Sequence, residues 1–235
     1  MKNCRPLHHV TAMLLPIPSS PASARRRATA GFSLMELVAV MAIMAVLATI
    51  TIPVVVPMMR SSSLNSGAAM LVDEFNLARQ TAMTENRDVE VRIYRTGSAS
   101  NPADLQYRGF RSLIKESDEP LQWKALTRVR YLPDPVIFSA DPNFSTLLDA
   151  GNASRSGLTS SSETLPNAAT PTPYISFLFR PTGGTNLSPV DPPVGNWFLT
   201  LHSSADPLNA TTGLPNNYFT CQVEPVTGRI RTYRP

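Results

Sequence analysis

The chain has 235 residues, enough for one sizeable folded domain with appendages. Charged residues form 16% of it, and its 22 prolines outnumber its 11 glycines, which argues against a helical bundle and for short elements between proline-bounded loops. Residues 1–31 carry five basic side chains and no acid. Without them the formal charge of +4 becomes −1 (16 basic against 17 acidic side chains), so the charge gives no support for a nucleic-acid-binding body.

The N-terminal region predicts a leader followed by a membrane-crossing helix. Residues 1–24 are rich in proline, serine and alanine without periodicity, and Arg25–Arg27 follow them. The later stretch Leu37–Met59 has 23 residues and no charge. As a helix it would be roughly 34 Å long, enough to cross a bilayer core of about 30 Å. Because the arginines precede this run, the positive-inside rule places the N-terminus in the cytoplasm and the rest of the chain outside.

A second helical pattern continues beyond the uncharged run. Apolar residues recur at spacings of three and four, which marks one face of an amphipathic helix. We therefore predict one long helix from about Ser33 to Glu85, with Pro53 and Pro57 inside it and Asn86 near its end. The residues of this apolar stripe are Leu64, Ala68, Leu71, Phe75, Ala78 and Ala82.

After Asn86 the hydrophobic period changes to two. Val89, Val91 and Ile93 alternate with polar residues, which predicts a half-buried strand. Helix and strand do not alternate further, so the predicted fold class is α+β, with the long helix packed on an antiparallel β-sheet or sandwich. Residues 140–173 are rich in Ser, Thr, Asn and Pro, which predicts a long exposed loop with little fixed structure. Further predicted strands are Leu105–Ile114, Gln122–Tyr131, Val136–Ser139, Tyr174–Phe179, Trp197–His202, Tyr218–Val223 and Arg229–Tyr233, with a hairpin loop at 224–228.

The most specific motif is the junction Gly31–Leu37, with the sequence GFSLMEL. It resembles the cleavage site of type IV prepilins and type II secretion pseudopilins, in which a basic leader ends in Gly before an apolar helix. Glu36 is the fifth residue counted from Phe32 and Pro53 is the twenty-second, and both positions match that family.

The resemblance implies a filament subunit made as a precursor. A prepilin peptidase would cut between Gly31 and Phe32, since a residue without a side chain permits close approach to the active site, and Phe32 would be N-methylated. Glu36 would neutralise the Phe32 ammonium of a neighbouring subunit and fix the axial register. Pro53 would loosen the helix on assembly. The implied partners are other pilin-like subunits, the prepilin peptidase and an inner-membrane assembly platform.

Simpler hypotheses for two of these residues stay open. Glu36 alone is also compatible with a side chain that snorkels at the cytoplasmic end of an ordinary membrane anchor. Pro53 alone is also compatible with a tolerated kink in a membrane helix.

Several downstream segments resemble a narrower group, the GspH/FimT-like minor pilins. They include a helix end that precedes a strand, two glycine-containing turns and one apolar strand. The order of these segments and the proline-rich body are also similar to the pilin-like family Verru_Chthon cassette protein D. The segments are Met70–Ala82, Phe179–Gly184, Trp197–Leu201 and Val226–Arg231.

The predicted organisation follows from these signals. Residues 1–31 form a cleaved basic leader, 32–59 a transmembrane and filament-core helix, 60–87 its amphipathic continuation, and 88–235 a β-rich periplasmic domain with the 140–173 loop. The predicted location is the bacterial inner membrane as a single-pass protein, and then an envelope filament. The alternatives are a DNA-binding minor pilin for DNA uptake and a single-span envelope protein that never polymerises.

Enzyme signals are weak, and we predict no catalytic residue, cofactor or metal. His202 and Cys221 are the His and Cys that remain after cleavage, and each lies in a predicted strand. No third group in the sequence orients a base for a Cys–His pair, and clustered metal ligands are missing.

The C-terminal arginines support the DNA-binding alternative. Arg229, Arg231 and Arg234 lie within the last seven residues, where no acid occurs. Strand alternation would place Arg229 and Arg231 on one face with Tyr233, where they would contact phosphates. The competing interpretation, which the near-neutral processed chain favours, is an edge strand whose charges prevent sheet-to-sheet aggregation.

Overall fold

The computed structural model describes residues 31–98, 101–149, 157–166, 168, 170–190 and 197–235, and for residues 50–54 it describes the backbone alone. The predicted leader, residues 1–30, therefore lies outside the described residues. The chain divides into two compact units, Met1–Ala48 and Thr49–Pro235. In the part of the chain that is described, no helix combines the length and apolar character needed to cross a membrane.

Helix α1 runs from Leu34 to Glu85, close to the predicted bounds. Asn86 follows with φ of 52°, and the Arg87 N–H donates to the Ala82 carbonyl at 3.2 Å. This left-handed residue with a backward hydrogen bond caps the last turn and ends the helix. The next element, β1, begins only three residues later at Val89.

The described residues after α1 form strands in two antiparallel sheets. The larger sheet has the order β3-β2-β1-β7-β6, with β4 paired to β2, and the smaller has the order β10-β9-β8-β5. The predicted α+β class is therefore confirmed. The strands are β1 (Val89–Thr96), β2 (Gln106–Asp118), β3 (Leu121–Ala125), β4 (Arg130–Tyr131), β5 (Val136–Phe138), β6 (Thr159–Glu163), β7 (Thr172–Phe179), β8 (Trp197–Ser203), β9 (Tyr218–Val223) and β10 (Ile230–Tyr233).

The core lies between the apolar stripe of α1 and the sheets. All six stripe residues are buried, as the sequence pattern predicts. The Phe75 ring meets the Phe177 ring edge-on, with centroids 5.5 Å apart. Phe110 of β2 and Phe138 of β5 meet 6.1 Å apart and join the two sheets. Burial of these large rings contributes to this domain's stability.

Three details of the sequence prediction were wrong. The described part of 140–173 is not a loop with little fixed structure, since a buried 3-10 helix spans Thr146–Leu148 and β6 pairs with β7. The predicted strand at 122–131 is divided into β3 and β4. Strand β1 is buried on both faces, because Glu90, Arg92 and Tyr94 are covered rather than solvated.

Candidate functional site

The N-terminal end of α1 exposes its apolar residues. Gly31, Phe32 and Ser33 precede the helix, and the Leu37 N–H donates to the Ser33 carbonyl at 3.1 Å in the first turn. Phe32 is 79% exposed. Exposed large side chains, including Leu34, continue along the helix, and an apolar surface of this kind marks an interaction site.

Glu36 is the acid of the first turn of α1, and it is exposed. A carboxylate there interacts favourably with the positive end of the helix dipole. Gly31 is also open, since a Cβ on it would meet no heavy atom within 4 Å. Pro53 lies within α1, but its side chain is outside the described residues, so its predicted role stays a prediction.

Residues 26–52 match the family model of the prokaryotic N-terminal methylation motif. This is a pilin-type N-terminus. The match confirms the predicted resemblance to prepilins, and it spans Gly31, Phe32 and Glu36. The roles of these three residues within the pilin-type N-terminus stay predictions.

Two solved structures of the minor pseudopilin EpsH from the type II secretion system of Vibrio cholerae are similar to the chain at 9% sequence identity. The alignment with one of them covers 74% of this chain and 98% of the EpsH chain, with a TM-score of 0.40. The other covers 75% and 96% with a TM-score of 0.37. No curated protein matches the chain.

The C-terminal arginines have different surroundings. The Arg234 guanidinium donates to Asn65 Oδ1 at 2.6 Å, to Ser61 Oγ at 3.0 Å and to Asn217 Oδ1 at 3.1 Å, so it binds the chain end to α1. Arg231 lies 4.0 Å from the Glu224 carboxylate. Arg229 is exposed and precedes β10, which forms an edge of the smaller sheet.

His202 and Cys221 do not form a catalytic pair. Cys221 lies opposite Leu199 and shares its inner face, whereas His202 follows Leu201 and points to the other face. Burial raises the pKa of the Cys221 thiol to about 12. Cys221 is therefore a small core residue without a thiolate at neutral pH.

A buried ionic network on the outer face of β1 was not predicted. Arg92 donates to Glu90 Oε2 at 2.6 Å and also binds Glu163 of β6. Burial works to lower the pKa of Arg92, but the hydrogen bond and charge of Glu90 raise it overall. Burial, followed by the hydrogen bond to Glu163, raises the pKa of Tyr94. The sequence signal for this network was the alternation of polar residues in β1, but the same alternation is equally typical of a solvated face.

A contact between α1 and two turns was also not predicted from the sequence. The Arg79 Nε donates to the Gly183 carbonyl and to the Thr227 carbonyl, both at 3.0 Å. These carbonyls belong to the two glycine-containing turns whose sequences resemble those of minor pilins. The contact positions both turns on the helix, so its role is structural.

Proposed function

We propose that the chain is a pilin-like subunit, a pseudopilin, of a type IV pilus or type II secretion-like filament. The observation that carries this proposal is the methylation-motif match at residues 26–52 on a helix whose apolar side chains are exposed. Such a surface is costly in water and calls for a lipid or helical partner. The later part of the helix packs its apolar stripe on the β domain.

Before assembly, the helix anchors the subunit in the inner membrane. Support comes from the 23 uncharged residues at Leu37–Met59 and from the arginines that precede them. The N-terminus is then cytoplasmic and the β domain periplasmic. After assembly, the same apolar surface packs against the helices of other pilin-like subunits.

Processing and register depend on three residues. Prepilin peptidase cuts after Gly31, and the new N-terminus, Phe32, is N-methylated. The exposed Glu36 carboxylate neutralises the Phe32 ammonium of a neighbouring subunit, because an unpaired charge in an apolar filament core costs several kcal/mol. An assembly platform in the inner membrane would receive the processed subunit.

Co-expression with a prepilin peptidase tests the processing step. Mass spectrometry of the membrane-purified protein should show a methyl-Phe32 N-terminus, and Gly31→Ala should reduce or abolish cleavage. A Cβ at residue 31 meets no heavy atom within 4 Å in the described part of the chain, so the loss would report on the peptidase rather than on folding. An inactive peptidase is the control. An intact N-terminus with an active peptidase would contradict the proposal.

Glu36→Leu tests the register step separately. The variant should insert in the membrane and fold normally, since Glu36 is exposed, yet fail to enter filaments. Glu85→Leu, which changes an exposed acid at the other end of α1, is the matched control and should assemble. Normal incorporation of Glu36→Leu subunits would show that the carboxylate does not set the register.

A further inference from the structure

A cleft of about 1120 Å³ lies at one end of the larger sheet. Its walls come from the end of β1, from the segment 125–134 and from the described residues of 165–173, which are 165, 166, 168 and 170–173. We call it the arginine cleft, because four of its lining residues are arginines and one, Asp134, is an acid. The arginines are Arg95, Arg108, Arg111 and Arg128.

Two of the four arginines have their charge neutralised. Arg108 donates to Asp134 Oδ1 at 2.8 Å. Arg111 lies 2.5 Å from Glu163 Oε1 and donates through Nε to the Tyr94 hydroxyl at 2.8 Å. This buried support holds the Arg111 guanidinium in a fixed orientation, which lowers the entropy cost of binding a ligand.

The other two arginines lack an acidic partner among the described residues. The Arg95 Nε donates to the Leu105 carbonyl at 3.0 Å, which leaves its charge uncompensated. Arg128 is exposed and makes no ion pair with the described part of the chain. The undescribed positions nearest the cleft in sequence, 99, 100, 167 and 169, are Ala, Ser, Asn and Ala, so they add no charge. The cleft therefore has an excess of positive charge.

Two polar atoms of the lining residues are buried without a hydrogen-bond partner in the described structure, Thr96 Oγ1 and Arg108 Nε. Arg108 is 5% exposed. Leaving a buried donor unsatisfied costs free energy, so a shift of the lining that brings either atom to an acceptor would be favourable. Both atoms can donate, and a carboxylate only accepts.

We propose that the arginine cleft binds a carboxylate-bearing ligand. Guanidinium groups bind carboxylates through paired, charge-assisted hydrogen bonds. The rest of the lining, including Leu105, Leu165 and Pro171, suits the aliphatic part of such a ligand. Tyr131 is the aromatic residue of the described lining, so base stacking is limited and a nucleotide fits less well. The carboxylates come from an acidic peptide segment or from a free dicarboxylate.

Calorimetry on the full-length chain in non-ionic detergent tests this proposal with three probes. They are succinate, a blocked peptide of alternating Glu and Leu, and the same peptide with Gln in place of Glu. The Glu peptide or succinate should bind, and the Gln peptide should not. Binding by the peptide alone would identify a peptide segment as the source, and binding by succinate would identify a free dicarboxylate. Both outcomes support the proposal that the cleft binds carboxylates.

Arg95→Gln combined with Arg128→Gln should weaken binding at least about tenfold, since each charge-assisted hydrogen bond contributes over 1 kcal/mol. Both side chains are exposed and neither pairs with an acid among the described residues, so the fold is kept. Arg180→Gln, which removes an exposed arginine outside the cleft, is the matched control and should bind as the parent does. Absence of binding by all probes at millimolar concentration, or equal losses in the double variant and the control, would overturn the proposal.

Discussion

Gly228 lies so close to Gly183 that a Cβ on Gly228 would stand 2.2 Å from the Gly183 carbonyl oxygen. The same oxygen accepts the hydrogen bond from Arg79 of α1. Two turns therefore pack backbone against backbone, and one arginine of the helix binds both of them. This contact requires glycine at position 228 for its space as well as for its φ of 62°.

Gly228→Ala should lower the free energy of unfolding by about 2–5 kcal/mol. The left-handed φ costs an alanine about 1–2 kcal/mol, and forcing the turns apart adds about 1–3 kcal/mol. Gly213→Ala is the matched control, because Gly213 has φ of 73° but its Cβ would meet only the Phe144 ring, at 3.5 Å. Urea unfolding followed by tryptophan fluorescence (Trp123 and Trp197) measures both. Equal losses would show that the turns separate without cost.

Phe75→Ala should lower the free energy of unfolding by roughly 3–5 kcal/mol, the usual cost of removing a buried Phe. Phe75 is fully buried, and its ring contacts those of Phe177 and Phe179. Leu77→Ala, at a 41% exposed position two residues away on the same helix, should cost little. A loss under about 1 kcal/mol for Phe75→Ala would mean that the core around the stripe collapses to fill the space.

The apolar stripe and most strands could be predicted because their periodicity reflects one buried face. Leu64 to Ala82 keep helical spacing, and all six residues of that face are buried. Strand β6 could not be predicted, since Thr159–Ser162 are polar and their order comes from pairing with β7. Such long-range partners leave no local pattern.

The candidate sites differ in the same way, since one has a local sequence signal and the others depend on long-range contacts. The junction at Gly31 and Glu36 could be predicted from the sequence because its residues are close together in the chain. The arginine cleft joins residues from Arg95 to Pro173, and nothing in either segment alone indicates that they meet. The C-terminal arginines gave a local charge signal, but Arg234 binds residues of α1 that lie more than 160 positions away.

The fragment from Ser61 onward should fold as a soluble, monomeric, β-rich domain. It contains the apolar stripe and both sheets, and it omits the exposed apolar side chains described within 32–49 and 55–59. Circular dichroism and analytical ultracentrifugation would check its structure and its mass. An aggregated or unfolded fragment would mean that the preceding helix residues are needed for the fold.

The stability of this domain should decrease as pH falls below about 6.5, in part because of His202. Burial lowers the pKa of His202 below its ordinary value of 6.5, although the Ser203 carbonyl and the Asp206 charge oppose the shift. As pH falls, His202 therefore binds a proton in the unfolded chain before it does so in the folded chain. Its contribution to stability is complete above pH 6.5 and is lost as pH approaches the pKa of His202 in the folded chain. His202→Gln should make the free energy of unfolding, measured in urea, vary less with pH between about pH 7.5 and about pH 5.5. An unchanged slope would assign the pH dependence to other groups.

The last prediction separates the two functional interpretations of the C-terminal arginines. Arg234 is bonded to α1 and Arg231 lies near Glu224, so few free charges are left for phosphates. Arg229→Ala with Arg231→Ala should therefore leave duplex DNA affinity unchanged. The same variant should aggregate faster, because β10 is an edge strand and would lose its charged side chains.

Light scattering and fluorescence anisotropy on the Ser61 fragment measure the two effects, and Arg87→Ala, an exposed arginine beyond the end of α1, is the control. The unfolding free energy should be nearly unaffected in all variants, since exposed charges contribute little to it. A DNA-uptake subunit predicts the reverse pattern. Its log affinity should fall with log salt at a slope of about −2 to −3, and the double variant should lose most of that slope. Micromolar DNA binding at physiological salt that disappears in the double variant would establish Arg229 and Arg231 as nucleic-acid contacts.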